Sequence, residues 1–174
     1  MSATTLMANT LTGVKGQKNI SISLRHFATL MTFKLHNKLT TEVTPKFLEF
    51  STESKQPATI SGVYKVHFQN GLTPIQTSNQ LRLDIKNSKT LSPNGVCEVY
   101  AIMEPFTLSP DDKFNIRVVT DKSDNMLTSV MPGSISFKAG TINRANVRIT
   151  PSSTSTIINP WEVQGETDEE IIIP

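Results

Sequence analysis

The sequence predicts an all-β fold, an antiparallel β-sandwich with a transthyretin-like Greek-key arrangement. Two observations carry the all-β reading. Apolar residues recur with a period of two in short runs, and polar turn signals separate those runs. No window sustains the 3.6-residue period of an amphipathic helix, and the clean in–out alternation favours antiparallel strands solvated on one side.

Ile20, Ile22 and Leu24 alternate with Ser21 and Ser23, and Met31, Phe33 and Leu35 with Thr32, Lys34 and His36. The stretch from Leu24 to Leu35 reads as strand, kink and strand. Leu48 and Phe50 flank Glu49; Tyr64, Val66 and Phe68 alternate with Lys65 and His67; Leu81, Leu83 and Ile85 with Arg82, Asp84 and Lys86. Phe114, Ile116 and Val118 alternate with Asn115 and Arg117, and Val147 and Ile149 flank Arg148. The punctuation is Asn70-Gly71, Pro93-Asn94-Gly95, Pro110-Asp111-Asp112, Pro132-Gly133 and Ala139-Gly140, all residue types that favour tight turns. This divides the chain into a loosely ordered segment at 1–18, a sandwich at 19–150, and a C-terminal extension at 151–174 that ends in a strand. Leaving Ile171, Ile172 and Ile173 in water is costly, since burying each fully is worth about 1.5–3 kcal/mol. The tail therefore belongs in a groove, of its own domain or of a neighbour.

Composition narrows the function classes. A chain of 174 residues can bury roughly two thirds of its unfolded surface, so its core needs no disulfide. Its single cysteine, Cys97, can form no internal bridge and reads as a buried structural thiol. The 17 basic and 15 acidic residues are scattered, with no basic stripe of the kind nucleic acid requires. No apolar stretch approaches the ~20 residues of a transmembrane helix. The N-terminus does not read as a secretory signal. Taken literally it places the chain in the cytoplasm, unless Met1 is an internal start and an exported precursor has lost its leader.

Candidate chemistry is sparse. His26, His36 and His67 do not share a metal-ligand spacing. His36 and His67 fall on polar strand faces, and His26 reads as a buried, hydrogen-bonded histidine. Asp111 and Asp112 belong to a turn, and Asp121 and Asp124 lack the glycine and terminal glutamate of a calcium loop. Asn19-Ile20-Ser21 matches a glycosylation sequon. The expectation is a protein without catalytic residues, cofactor or metal.

Five segments, taken in order, resemble the fimbrillin-like surface subunits of anaerobic gut and oral bacteria. Residues 20–35 are similar to that family's strand pair. Val99-Tyr100-Ala101-Ile102-Met103-Glu104-Pro105 is similar to its central strand ending at proline, and Phe114 to Asp121 to the strand that follows. Gly140 with Asn146-Val147-Arg148-Ile149 resembles its late glycine and final core strand, and Ile158-Asn159-Pro160-Trp161 its Ile-x-x-Trp signature. The resemblance implies a lipoprotein precursor exported to the outer membrane, whose subunits join a fimbria, or pilus, by donating an extended strand into the next subunit. The implied partners are other fimbrial subunits or a second copy of the chain. The donor strand would be Glu170, Ile171, Ile172 and Ile173, with Trp161 as a hydrophobic anchor; the same tail could instead serve as the last strand of its own domain. Two departures are the missing export signal with its lipidation cysteine, and room for one sandwich where many members have two domains. The alternative is a cell-adhesion module that recognises a glycan or host protein through its loops.

Overall fold

The alternating runs fold as strands, and the described residues contain no helix. The structure, a computed structural model, describes residues 7–8, 20–23, 25–67, 71–131, 133–151, 162–165 and 170–173, with side chains at 26–65, 72–131 and 133–151. The strands are Met7–Ala8 (β1), Ile20–Ser23 (β2), Arg25–His26 (β3), Thr29–Asn37 (β4), Pro45–Glu53 (β5), Ser61–His67 (β6), Gly71–Ser78 (β7) and Gln80–Asp84 (β8). They continue as Val96–Met103 (β9), Phe106–Leu108 (β10), Lys113–Thr120 (β11), Asp124–Val130 (β12), Ile135–Phe137 (β13), Thr141–Ile149 (β14), Glu162–Gly165 (β15) and Glu170–Ile173 (β16). At the expected kink between β2 and β4, the described residues 25–28 are extended only at the two residues of β3.

Two four-stranded sheets form the layers, ordered β12-β11-β5-β8 and β15-β14-β4-β9. Every pair in the first is antiparallel. In the second, β14 runs parallel to β4, with Ile142 opposite Leu30 and Ile149 opposite Asn37. The alternation within each strand does not reveal this. Parallel neighbours need a long crossover, which the chain between Asn37 and Thr141 supplies.

Inward side chains meet between the layers. Phe33 of β4 stacks on Phe50 of β5 with centroids 4.6 Å apart. The aromatic series continues through Phe114, Phe106 and Phe137, surrounded by Met31, Leu35, Leu48, Ile116, Val118, Val147 and Ile149. Offset rings at such distances add roughly 0.5–1.5 kcal/mol per pair beyond area burial.

The sandwich is fastened at its two edges in different ways. On the β12/β14 side, Asn125 is buried and clasps Thr150: its Nδ2 donates to the Thr150 carbonyl and its Oδ1 accepts from the Thr150 N–H, both at 3.1 Å. On the β8/β9 side, Ile60 links the end of β7 to the chain just past β9, donating to the Ser78 carbonyl at 2.9 Å and accepting from the Glu104 N–H at 3.0 Å. Beyond Ile60 the hairpin β6–β7 forms its own two-stranded sheet, in which a register shift beside Val63 and Tyr64 leaves Ile75 without a cross-strand partner and 68% exposed.

Candidate assembly edge

The structure places most of the residues that the sequence singles out for chemistry. Cys97 is half-buried on the inward face of β9, and burial pushes its thiol pKa up. That disfavours the nucleophilic thiolate. His26 is half-buried rather than enclosed, with its ring against Gly140, a residue at φ +73°. His36 meets Asn146 at 3.3 Å on the outer face of β14 and β4. His67 lies in β6 opposite Gly71. Asp111, at φ 69°, and Asp112 form the expected turn, with Asp112 Oδ2 accepting from the Ser109 N–H at 2.8 Å. Asp121 accepts from the Thr44 N–H at 2.7 Å, whereas Asp124 forms a two-pronged contact with Arg117. Among the described residues no three of His, Cys, Asp and Glu gather as metal ligands would, and no helix is long and apolar enough to cross a membrane. Asn19 and Trp161 lie outside the described residues.

The outer face of the β12-β11-β5-β8 sheet carries a ladder of paired charges. Glu49 sits between Arg82 at 3.2 Å and Arg117 at 2.7 Å; Arg82 also holds Asp84, and Arg117 holds Asp124. Hydrogen bonding to Arg117 lowers the Asp124 pKa. Arg82 lies 3.6 Å over the Phe47 ring, covering the aromatic surface of this face. A shallow depression of about 360 Å³ crosses the ladder, lined by Glu49, Ser51, Gln80, Arg82, Arg117 and Met126.

The two edges of the sandwich differ. On the clasped side, the inward residues of the edge strand β12 are closed off, with Leu127 only 2% exposed and Asn125 and Ser129 buried. On the other side, Leu81, Leu83 and Ile85 along β8 and Cys97 on β9 reach the core but are only half-buried. Among the described residues β8 has β5 as its one hydrogen-bonded neighbour and β9 has β4. The segment 99–105, similar in sequence to a family's central strand, therefore lies mostly in an edge strand. Outward, β9 exposes Val96, Tyr100 and Ile102.

The backbone of β8 shows which groups this edge offers. Ile85 donates to the Lys46 carbonyl and Thr52 to the Asn79 carbonyl. With Leu83 opposite Leu48 and Leu81 opposite Phe50, residues 81, 83 and 85 bond toward β5, and 80, 82 and 84 face away. The Gln80 groups are taken, its N–H by the Ser78 hydroxyl and its carbonyl by the Ser61 hydroxyl. Among the described residues, the backbone groups of Arg82 and Asp84 are the ones left to a further strand.

Residues Glu170–Ile173 form β16. It pairs antiparallel with β2 of its own chain, Glu170 opposite Ser23 and Ile173 opposite Ile20, in a ribbon that among the described residues is hydrogen-bonded to neither layer. The open edge was not singled out from sequence. The run of apolar residues in β8 marks a strand, but nothing local says it lacks a second neighbour.

The chain is similar to two solved structures of candidate cell adhesion proteins. The one from Bacteroides ovatus has a TM-score of 0.46 and 16% identity, covering 85% of this chain and 48% of its own. The one from Bacteroides fragilis has a TM-score of 0.42 and 12% identity, covering 84% and 48%. The chain thus spans about half the length of each. No known family pattern matches the sequence, and no curated protein matches it.

Proposed function

We propose that this chain is a non-catalytic, fimbrillin-like subunit of a bacterial surface fimbria, assembling by β-strand donation with Glu170, Ile171, Ile172 and Ile173 as the donor. The observation that carries this reading is the placement of the tail. It is a strand, yet among the described residues it pairs with the four residues of β2 and with neither layer of the sandwich. An isolated two-stranded ribbon is marginal in water, so exchanging β2 for a longer, half-buried edge costs little and gains backbone bonds and apolar burial. Trp161 serves in this reading as the anchor of the segment before the donor. Export as a lipoprotein precursor and residence at the outer membrane follow from the family the sequence resembles.

Deleting residues 166–174 tests the reading. Light scattering and analytical ultracentrifugation of the full chain should show concentration-dependent association, which the deletion abolishes. An unchanged association constant in the deletion variant sinks the assignment of the tail as donor. A second reading, an adhesive module for a host protein or glycan, is favoured by the β6–β7 hairpin, where Val63, Pro74 and Ile75 are all exposed. Binding of a host protein or an arrayed glycan by the monomeric deletion variant would support it.

A further inference from the structure

The donor reading leaves open where a donated strand goes, and in which direction. The edges of the sandwich answer differently. At β12 the inward side chains are already sealed and the Asn125–Thr150 clasp closes the seam. At β8, Leu81, Leu83 and Ile85 stand half-covered, and the outward backbone groups of Arg82 and Asp84 have no strand beside them among the described residues. A strand laid here adds main-chain bonds and lids the exposed side of the core in one step.

Charge sets the direction. Three exposed lysines cluster where β8 ends: Lys86 and Lys89 follow it, and Lys46 is bonded through its carbonyl to Ile85. None of the three is in an ion pair among the described residues. The donor segment is asymmetric in the complementary sense, with Glu166, Asp168, Glu169 and Glu170 at its start and three isoleucines at its end. Laid antiparallel to β8, its acidic start meets the lysines and its isoleucines run toward Leu83 and Leu81. Laid parallel, the acidic start would fall toward Gln80 and Ile60, away from the lysines. The lengths agree as well, five residues in β8 against four in β16.

We propose that the β8 edge is the acceptor for the Glu170–Ile173 strand of a second copy of this chain, added antiparallel, with Lys46, Lys86 and Lys89 holding the acidic run Glu166–Glu170. The assignment rests on the strand-donation reading and adds to it a site, a polarity and a salt dependence.

The test is a charge swap on the full chain, read by sedimentation equilibrium. Reversing the lysines (Lys46→Glu, Lys86→Glu and Lys89→Glu together) should raise the dissociation constant at least about tenfold, as should Glu166→Lys with Asp168→Lys, Glu169→Lys and Glu170→Lys; close charge pairs at interfaces couple by that much or more. An equimolar mixture of the two variants should associate as hetero-oligomers, and wild-type association should weaken as salt rises. Asp84→Pro removes an N–H from the free edge while leaving the ladder to β5 intact, and should also prevent association; circular dichroism checks that it folds. The charge swap stands independently if it does not. The proposal is overturned if the deletion of 166–174 dissociates the oligomer while the lysine reversal and Asp84→Pro leave it unchanged, because donation is then real and lands elsewhere. If the deletion itself has no effect, the donor reading fails and this assignment with it. If the wild type is monomeric and the reversals only lower its melting temperature, the tail closes its own edge, which also overturns the proposal.

Discussion

At the end of β4, Asn37 is fully buried and gathers two loops, 38–44 and 85–95. Its Nδ2 donates toward the carbonyls of Thr41, Leu91 and Ser92 at 2.9–3.0 Å, and its Oδ1 accepts from the Leu39 N–H. Its own backbone continues the network, with bonds to Gly95 and from Asn94. Removing the amide deletes its hydrogen bonds to the Thr41, Leu91 and Ser92 carbonyls at a fully buried position, a penalty of about 1–3 kcal/mol. Asn37→Ala should therefore lower the unfolding free energy by that amount in urea titrations. Asn37→Asp, which sets a carboxylate among the same carbonyls, should cost more at neutral pH. The sequence gives no hint of this role, because a polar residue after an apolar run reads as the start of a turn. The same blindness affects Asp121 and Asp124. Their spacing imitates part of a cation loop, but one caps the Thr44 backbone and the other holds Arg117, partners that only the folded chain supplies.

Among the elements, the β6–β7 hairpin is held to the sandwich at its base by contacts that exclude a side chain at Gly62. A Cβ there would sit 2.6 Å from the Gln76 carbonyl, 2.6 Å from the Glu104 carboxylate and 2.9 Å from the Tyr64 ring. Burial, and then the contact with Glu104, push the Tyr64 pKa up to about 12, which marks how close this packing is. Gly62→Ala should loosen the hairpin, speeding amide exchange in β6 and β7 and costing on the order of 1–3 kcal/mol. Gly133→Ala, where a Cβ meets nothing within 4 Å, should change stability by less than about 0.5 kcal/mol. The runs around Phe33, Leu48, Leu83, Ile116 and Val147 became strands, because each has apolar residues on a face that packs into or against the core. In two of the strands that alternation missed, β12 and β7, the residue pattern departs from simple apolar alternation. In β12 two of the buried residues are Asn125 and Ser129, and β7 carries Pro74 in its interior. The direction of β14 against β4 and the position of β9 at an edge depend on which strands become neighbours, which no single strand encodes.

For the molecule as a whole, the difference between its two edges makes a stability prediction that does not depend on any ligand. Leu127 and Leu83 both face the core from edge strands, but one is sealed and the other half-covered. Truncating a sealed leucine removes buried methyl groups and leaves a cavity, about 2–5 kcal/mol. Truncating a half-covered one forfeits a fraction of the transfer term, about 1 kcal/mol, and leaves a dent open to water. In denaturant titrations of the monomer, Leu127→Ala should therefore be several-fold more destabilising than Leu83→Ala. The order should narrow once the chain associates, because a strand laid on β8 covers Leu83 and leaves Leu127 as it was. Leu83→Ala should then weaken association, whereas Leu127→Ala should act on the folding of each copy alone. Equal costs in the monomer would mean that the β8 side is already closed in solution, and the search for an acceptor would move to the exposed strand β9.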